Sequence, residues 1–356
     1  DADPVAMIFL SIGLPSRFAE WCDGMICALL QAAGERFEAV GANTLEEIAL
    51  AVINSPAPRL VIGARQPTDE LRGALDRAGT RFVMALDDPH AAFGNLVTRH
   101  RFDWKEAVRA VAGSCVAMMR YAAMPGALVL RADREGKDAL GTVTAIARWL
   151  DLAVAPADIE ALAEEHSDPG GSAEPDREDC WQDAISAADR AVVDGALNGY
   201  VDYFRGAGLG QMLWARDLFL VGDTPDLPAT ETIDVAGPVR NLLFGPYLTL
   251  PPGEWAATVV LAVSKLAADI SYGVEILSGA ACLCLGRGTI QPRGEGVCEA
   301  TVEFTIAEAT EQPIALRVAN LRFAFGGRLA LAHVAVSPRV KPRPYIPAEL
   351  TAALGL

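Results

Sequence analysis

Apolar positions in the first half of the chain fall into short blocks separated by longer segments of helical period. The blocks Val5–Leu14, Arg36–Val40, Arg59–Gly63, Thr80–Leu86 and Ala127–Arg131 are β-branched or aromatic and bounded by turn formers, so they predict strands. Between them, apolar residues recur at three- and four-residue steps. These segments predict helices from the Gly13–Pro15 turn to Gly34, over Thr44–Asn54 and Thr68–Ala78, over Pro89–Tyr121 in two pieces, and over Lys137–Leu150 and Pro156–His166. Thr44 followed by Glu47 is a capping-box pattern, and Pro156 stands where a first-turn proline belongs. Strict strand–helix alternation predicts a doubly wound parallel sheet for residues 1–166.

Beyond this region the pattern changes twice. Ser167–Pro175 holds only turn formers and small or polar residues and reads as a linker. Trp181, Ile185, Ala188, Val192, Ala196, Tyr200 and Tyr203 then describe one long amphipathic helix, read with the linker as a connecting strut over 167–216. From 217 to 340 the apolar period shortens to two. Val302, Phe304 and Ile306 alternate with Thr301, Glu303 and Thr305, and Ile314, Leu316 and Val318 repeat the alternation. Further short blocks at Leu218–Val221, Tyr247–Leu250, Trp255–Val263, Tyr272–Ile276 and Leu329–Val336 complete an all-β sandwich or jelly roll. Pro338–Pro347 is too rich in proline for a strand, which leaves 341–356 as a tail.

Composition narrows the function classes. With a formal charge of −16 over 356 residues, the chain opposes nucleic acid and anionic membrane surfaces, and a small molecule or glycan is the expected partner. No apolar run reaches the roughly 18 to 20 residues of a membrane helix, and no basic leader precedes Val5, so the expected location is cytoplasmic. The seven cysteines are dispersed. Cys22 and Cys27 are spaced C-x4-C rather than as a redox pair, and Cys282 and Cys284 read as buried strand residues. Four scattered histidines suggest no metal site.

The turn after the first strand, Gly13-Leu-Pro15-Ser-Arg-Phe-Ala-Glu-Trp21, resembles the donor-binding turn of sulfotransferases that use phosphoadenosine phosphosulfate, which reads Gly-x-Pro-[Lys/Arg]-Ser-Gly-Thr-[Thr/Ser]-Trp. Asp87-Asp88-Pro89 with Asn95 stands where that family carries Arg-[Asp/Asn]-Pro and a serine six residues on. Ala64-Arg65-Gln66-Pro67 stands where it carries Thr-His-x-Pro with the catalytic base. The resemblance covers about the first half of the chain. It implies a P-loop-type fold, a degenerate donor site at Ser16, Arg17 and Asn95, and Arg65 at the position of the base; Asp88, which could pair with Asp87 as acid and base, and His90, which follows Asp88-Pro89 at the carboxyl end of a strand, are the other catalytic candidates. The phosphate-binding positions are changed in character: the glycine is Phe18, the hydroxyls are Ala19 and Glu20, and the arginine is Asp87. No cofactor is therefore expected, the sulfate nucleotide included.

The second half resembles jelly-roll carbohydrate-binding modules through Gly245-Pro-Tyr247 and the Leu250-Pro-Pro-Gly-Glu-Trp255 hairpin entry. Arg240, Tyr247, Tyr272 and Arg317 are the candidate carbohydrate contacts, Arg317 because it alternates with Leu316 and Val318 and so points outward. Trp255 begins a strand whose alternate residues are apolar and reads equally as core. The expectation is a non-catalytic or weakly catalytic sulfotransferase-like protein that binds a glycan in polysaccharide metabolism. The alternatives are an active transferase on a carbohydrate or lipid-linked acceptor, and a structural subunit in which the sandwich is a homo-oligomer contact.

Overall fold

The computed structural model describes residues 7–134, 138–167 and 181–339. Two compact units divide at Ile185/Ser186. The linker after Ser167, Cys180 and the tail from 340 onward lie outside the described residues.

In the first unit the elements are β1 (Met7–Gly13), α1 (Arg17–Ala32), β2 (Glu38–Gly41), α2 (Leu45–Asn54), β3 (Arg59–Ala64), α3 (Asp69–Ala78), β4 (Phe82–Leu86), α4 (Pro89–Thr98), α5 (Trp104–Tyr121), β5 (Ala127–Arg131), α6 (Ala139–Trp149), α7 (Pro156–Glu165) and α8 (Trp181–Ala184). All five strands are parallel, in the order β2-β3-β1-β4-β5. The three inner strands are covered on both faces, which is why β4 is an unbroken apolar run with every residue buried. On one face Phe9, Val61, Val83 and Leu130 meet Phe18, Cys22, Met25 and Leu29 of α1 and Val143 and Ile146 of α6. The capping box at Thr44 and Glu47 forms as the sequence predicts.

The helix read as continuous from Trp181 to Tyr203 is two helices. Ser186 caps a new start by accepting from the Asp189 amide, so α9 (Ala187–Phe204) opens the second unit while Trp181 stays in the first. Trp181 packs edge-on to Phe93 and against Gly94, where a Cβ would come within 2.6 Å of its ring. Within the second unit α9 lies against β6 (Met212–Ala215), with Gly195 and Gly199 bringing its backbone close to Leu213 and Met212. It is part of the second unit's packing.

The remaining strands are β7 (Leu220–Val221), β8 (Thr224–Pro228), β9 (Ile233–Asp234), β10 (Asn241–Leu248), β11 (Gly253–Val263), β12 (Tyr272–Ser278), β13 (Leu283–Ile290), β14 (Gly296–Ile306), β15 (Ile314–Asn320) and β16 (Arg328–Pro338). They form two antiparallel sheets, β13-β12-β15-β10-β7-β8 and β14-β11-β16-β6, with β9 on β16. Alternate residues of β11, from Trp255 to Val263, are buried, and Trp255 pairs across the strand with Phe304. The predicted Leu218–Val221 strand is shortened, because Arg216–Leu218 winds into a 3-10 turn. β6, β8, β9 and β13 carry too little alternation to be read from the sequence. Among the described residues no helix is long and apolar enough to cross a membrane.

Candidate functional site

Open parallel sheets bind ligands at the carboxyl ends of their strands, where helix N-termini converge. Here that end is occupied by the chain's own side chains. Only Leu14, Pro15 and Ser16 separate β1 from α1, and Ser16, fully buried, caps the helix through the Ala19 amide. Arg17, half-buried, is already the first helical residue. Phe18 is turned into the core and stacks on Trp21, ring centroids 6.0 Å apart. The segment that would have to wrap an anion is the first turn of a helix.

The residues that carried the family resemblance have packing explanations. A Cβ at Gly13 would come within 2.8 Å of the Ala19 Cβ and 2.9 Å of the Ala85 carbonyl oxygen, so the glycine sets the closeness of β1, β4 and α1. The Pro15 carbonyl accepts from Asn95 Nδ2, and the Trp21 indole donates to the His166 carbonyl. Asp88 caps α4, whose first residue is Pro89.

The polar groups at this end are acidic or already committed. Asp87 accepts from the Asp88 amide at 2.7 Å and bonds to the Ser16 hydroxyl, and burial pushes its carboxyl above the usual range, with Asp88 and Asp133 adding to the shift. Asn95 spends its amide hydrogens on the Pro15 carbonyl and on Glu20 Oε1, so it offers an anion only an acceptor oxygen. Glu20 also holds Arg99 at 2.6 Å and faces His100 at 3.4 Å. Burial acts against its ionisation, but Asn95, Arg99 and His100 together bring its carboxyl below the ordinary value. The sequence did not single out Arg99 or His100, because residues just past a helix end carry no pattern that points back to Glu20.

Each catalytic candidate is engaged by partners of its own. Arg65 pairs with Asp23 at 2.5 Å and donates to the Ala64 carbonyl; Gly63 leaves room for this pair, since a Cβ there would meet Asp23. A guanidinium so held is a structural cation and not a base. The Asp88 carboxylate takes the His90 amide at 2.8 Å, and the His90 ring lies 3.4 Å from it while stacking on Trp181. Burial pushes up the thiols of Cys22, Cys27 and Cys115, leaving them unsuited to redox exchange. Cys282, read as a buried strand residue, is exposed in the turn before β13, and Cys284 is half-buried.

The second unit presents an open groove of about 370 Å³ on the outer face of the β13-β12-β15-β10 sheet. The strand register explains it. One ladder across the sheet runs Arg287, Glu275, Arg317 and Phe244; the next runs Thr289, Gly273, Ala319 and Asn241. The second ladder is made of small residues and forms a trough. Its walls are the charged ladder on one side and Leu321 on the other, the latter so close that a Cβ at Gly273 would meet Leu321 Cδ2 at 2.8 Å. Glu275 accepts from Arg317 Nε at 3.0 Å and Nη2, and pairs with Arg287 at 3.1 Å. The three groups fix one another and line the trough with planar donors and acceptors.

Of the four carbohydrate candidates, the structure places two on this face. Arg317 lines the groove and points outward as its alternation predicts. Tyr247, 37% exposed, packs edge-on to Phe244, the cross-strand neighbour of Arg317. Tyr272 is a correction: it is fully buried, and its hydroxyl donates to the Ala267 carbonyl at 2.8 Å. Arg240 does not line the groove; its guanidinium clasps Asp223 and the Ala236 and Asp234 carbonyls. Gly273, Glu275, Arg287 and Asn241 were missed. The alternation of Gly273 and Glu275 with Val274 and Ile276 was the available signal, but only strand pairing shows that Arg287 and Arg317 meet at Glu275.

The sequence matches no protein-family model and no curated protein. Solved structures similar to parts of it include a mouse sulfotransferase complexed with PAP, 13% identical over 46% of this chain and 64% of that one, with a TM-score of 0.35. They also include a carbohydrate-binding module of Cellvibrio mixtus lichenase 5A in complex with cellotriose, 9% identical over 31% of this chain and 71% of that one (TM-score 0.19). A cyclase from Fischerella sp. TAU is 16% identical over 29% of this chain and 59% of that one (TM-score 0.23). The chain spans less than two thirds of the cyclase and of the sulfotransferase. The fold class, a parallel α/β sheet joined to an antiparallel β-sandwich, stands on the strand order and pairing themselves.

Proposed function

We propose that the protein is a glycan-binding protein whose ligand lies in the outer-face groove of the sandwich, and that its α/β unit is a sulfotransferase-like scaffold that has lost donor binding. The observation that carries this reading is the paired ladder. A trough of Thr289, Gly273, Ala319 and Asn241 runs beside Glu275 held between two guanidiniums. Sugar hydroxyls both donate and accept, and a carboxylate, guanidiniums, an amide and a hydroxyl on a rigid sheet supply both partners at fixed spacing. Two cations against one carboxylate give the trough a net positive character, which favours a uronate-containing glycan over a neutral one. The α/β unit supports the non-catalytic part of the reading, because the turn that would cradle a donor phosphate is the first turn of α1, with Phe18 turned into the core at the glycine position, Asp87 bonded to Ser16 and Glu20 already paired with Arg99.

Calorimetric titration of neutral and uronate oligosaccharides against the full chain tests this. Binding that prefers uronates and weakens about tenfold in Glu275→Gln supports it, since that substitution releases both arginines from their fixed positions. Absence of binding across the panel, or binding indifferent to Glu275→Gln, overturns it.

A further inference from the structure

The second unit carries an apolar loop that neither its core nor the groove uses. Between β15 and β16 the chain is pinned at two points. Asn320, fully buried, accepts from the Arg240 amide at 2.7 Å and donates to the Pro238 and Arg322 carbonyls. Ala324, also buried, exchanges hydrogen bonds with Gly237 at 2.8 and 2.9 Å. With Ala324 held inward, its two neighbours face out: Phe323 is 57% exposed and Phe325 97%, their rings 5.2 Å apart. Leu266 is exposed beside them, 3.6 Å from where a Cβ on Gly326 would be, and Val239 is exposed in the loop whose Gly237 bonds Ala324. A contiguous cluster of this kind on a backbone fixed by hydrogen bonds marks a contact surface.

Charge decides among the partners. The three loops that converge here, 236–240, 264–269 and 320–328, carry Arg240, Lys265, Arg322 and Arg328 against a single carboxylate, Asp269, in a chain whose net charge is −16. Counting Asp223, which pairs with Arg240, and Asp234, which lies opposite Arg328 in the strand register, still leaves a positive balance. A symmetric contact with a second copy of the chain would set this positive surface against its like. A sugar would find the nearest polar side chains committed, Asn320 as above and Arg322 to the Asp269 carbonyl. An anionic lipid surface matches both features: rings that enter the headgroup–acyl boundary and cations that face phosphates.

We infer that the Phe323–Phe325 loop docks the protein on an anionic membrane surface. The negative charge of the whole chain does not prevent this, because at physiological salt fields are screened beyond roughly 8 Å and the loop's own charges govern the contact. This inference stands apart from the groove, which contributes none of the residues involved except Leu321 at its rim.

Sedimentation of the full chain with phosphatidylcholine vesicles, with and without phosphatidylglycerol, tests it. The expected result is binding to the phosphatidylglycerol vesicles and little to phosphatidylcholine alone. Binding should fall about tenfold in Phe325→Ser and further in Phe323→Ser/Phe325→Ser, with the melting temperature of the single variant unchanged. Lys265→Glu should weaken it severalfold. No binding to phosphatidylglycerol vesicles, equal binding to both vesicle types, or binding that survives the double substitution overturns the inference. So does self-association of the wild-type chain that Phe325→Ser abolishes, which would make a second copy the partner.

Discussion

The turn after β1 and the trough across β13, β12, β15 and β10 are both places where a fold of their kind can take a ligand, and they have been treated in opposite ways. At the turn, the position where an anion-binding loop needs a residue without a side chain holds Phe18, buried in the α1 core, and the facing strand end offers Asp87. In the trough, the central position is Gly273, between Thr289 and Ala319, and the sheet surface stays open. Side-chain volume therefore separates a closed site from an open one more clearly than the number of charged residues nearby. Both neighbourhoods contain arginines and carboxylates. Around the turn they neutralise one another or face the wrong sign of ligand, whereas along the trough they form a row beside empty space.

The sharpest way to break this comparison is to exchange the two residues' character. Phe18→Gly places there the glycine that the resembling family carries. If the closed site is core, the substitution should cost about 4 kcal/mol or more, from the lost ring and from glycine inside a helix, and lower the melting temperature on the order of 10 °C. A well-folded variant that gains nucleotide affinity would mean that the turn is a latent donor site. Gly273→Val does the reverse. It should leave the melting temperature within a few degrees, because Leu321 is exposed and can move aside, yet reduce oligosaccharide binding at least tenfold by filling the trough. Unchanged binding would place the ligand elsewhere.

Smaller effects sharpen the contrast. Burial holds the Asp87 carboxyl above its unfolded value, so its ionised form costs stability at neutral pH, and that cost is gone below the ordinary carboxylate range of about 3.9, where both states are protonated. Asp87→Asn should raise the melting temperature by a few degrees at pH 7, with the gain vanishing as pH falls through 4. A gain that persists in acid would assign the effect to something other than the charge. Arg317→Ala removes a cross-strand ion pair worth about 1 kcal/mol or less at this exposure. It should barely move the melting temperature while weakening oligosaccharide binding severalfold.

Much of the fold was legible because it rests on periodicity. Parallel strands buried on both faces are unbroken apolar runs, and β11, β14 and β15 alternate cleanly. The break before α9 was less visible, since Ser186 interrupts an apolar stripe that continues in register on either side. Site residues were harder still. Arg317 could be read from its own strand, whereas Tyr272 could not be told from an outward tyrosine until β12 was seen to place it inside. Glu275 acquires its meaning only from two other strands. Arg240's partners, the Asp223 carboxylate and two backbone carbonyls, are ones that no sequence spacing announces.

The central claim is that one unit is closed to a nucleotide and the other open to a glycan, and a single pair of titrations on the same preparation tests it. Phosphoadenosine phosphosulfate and a uronate oligosaccharide are titrated in turn into the full chain, with Gly273→Val and Arg17→Ala run in parallel. The account predicts heat from the oligosaccharide that disappears in Gly273→Val, and none from the nucleotide. Two like charges about 4 Å apart at an effective dielectric near 20 repel by at most roughly 4 kcal/mol, a bound that applies to Asp87 when ionised and that Arg99 lowers at Glu20. Low-micromolar nucleotide binding abolished by Arg17→Ala, with no response to the oligosaccharide, would contradict it.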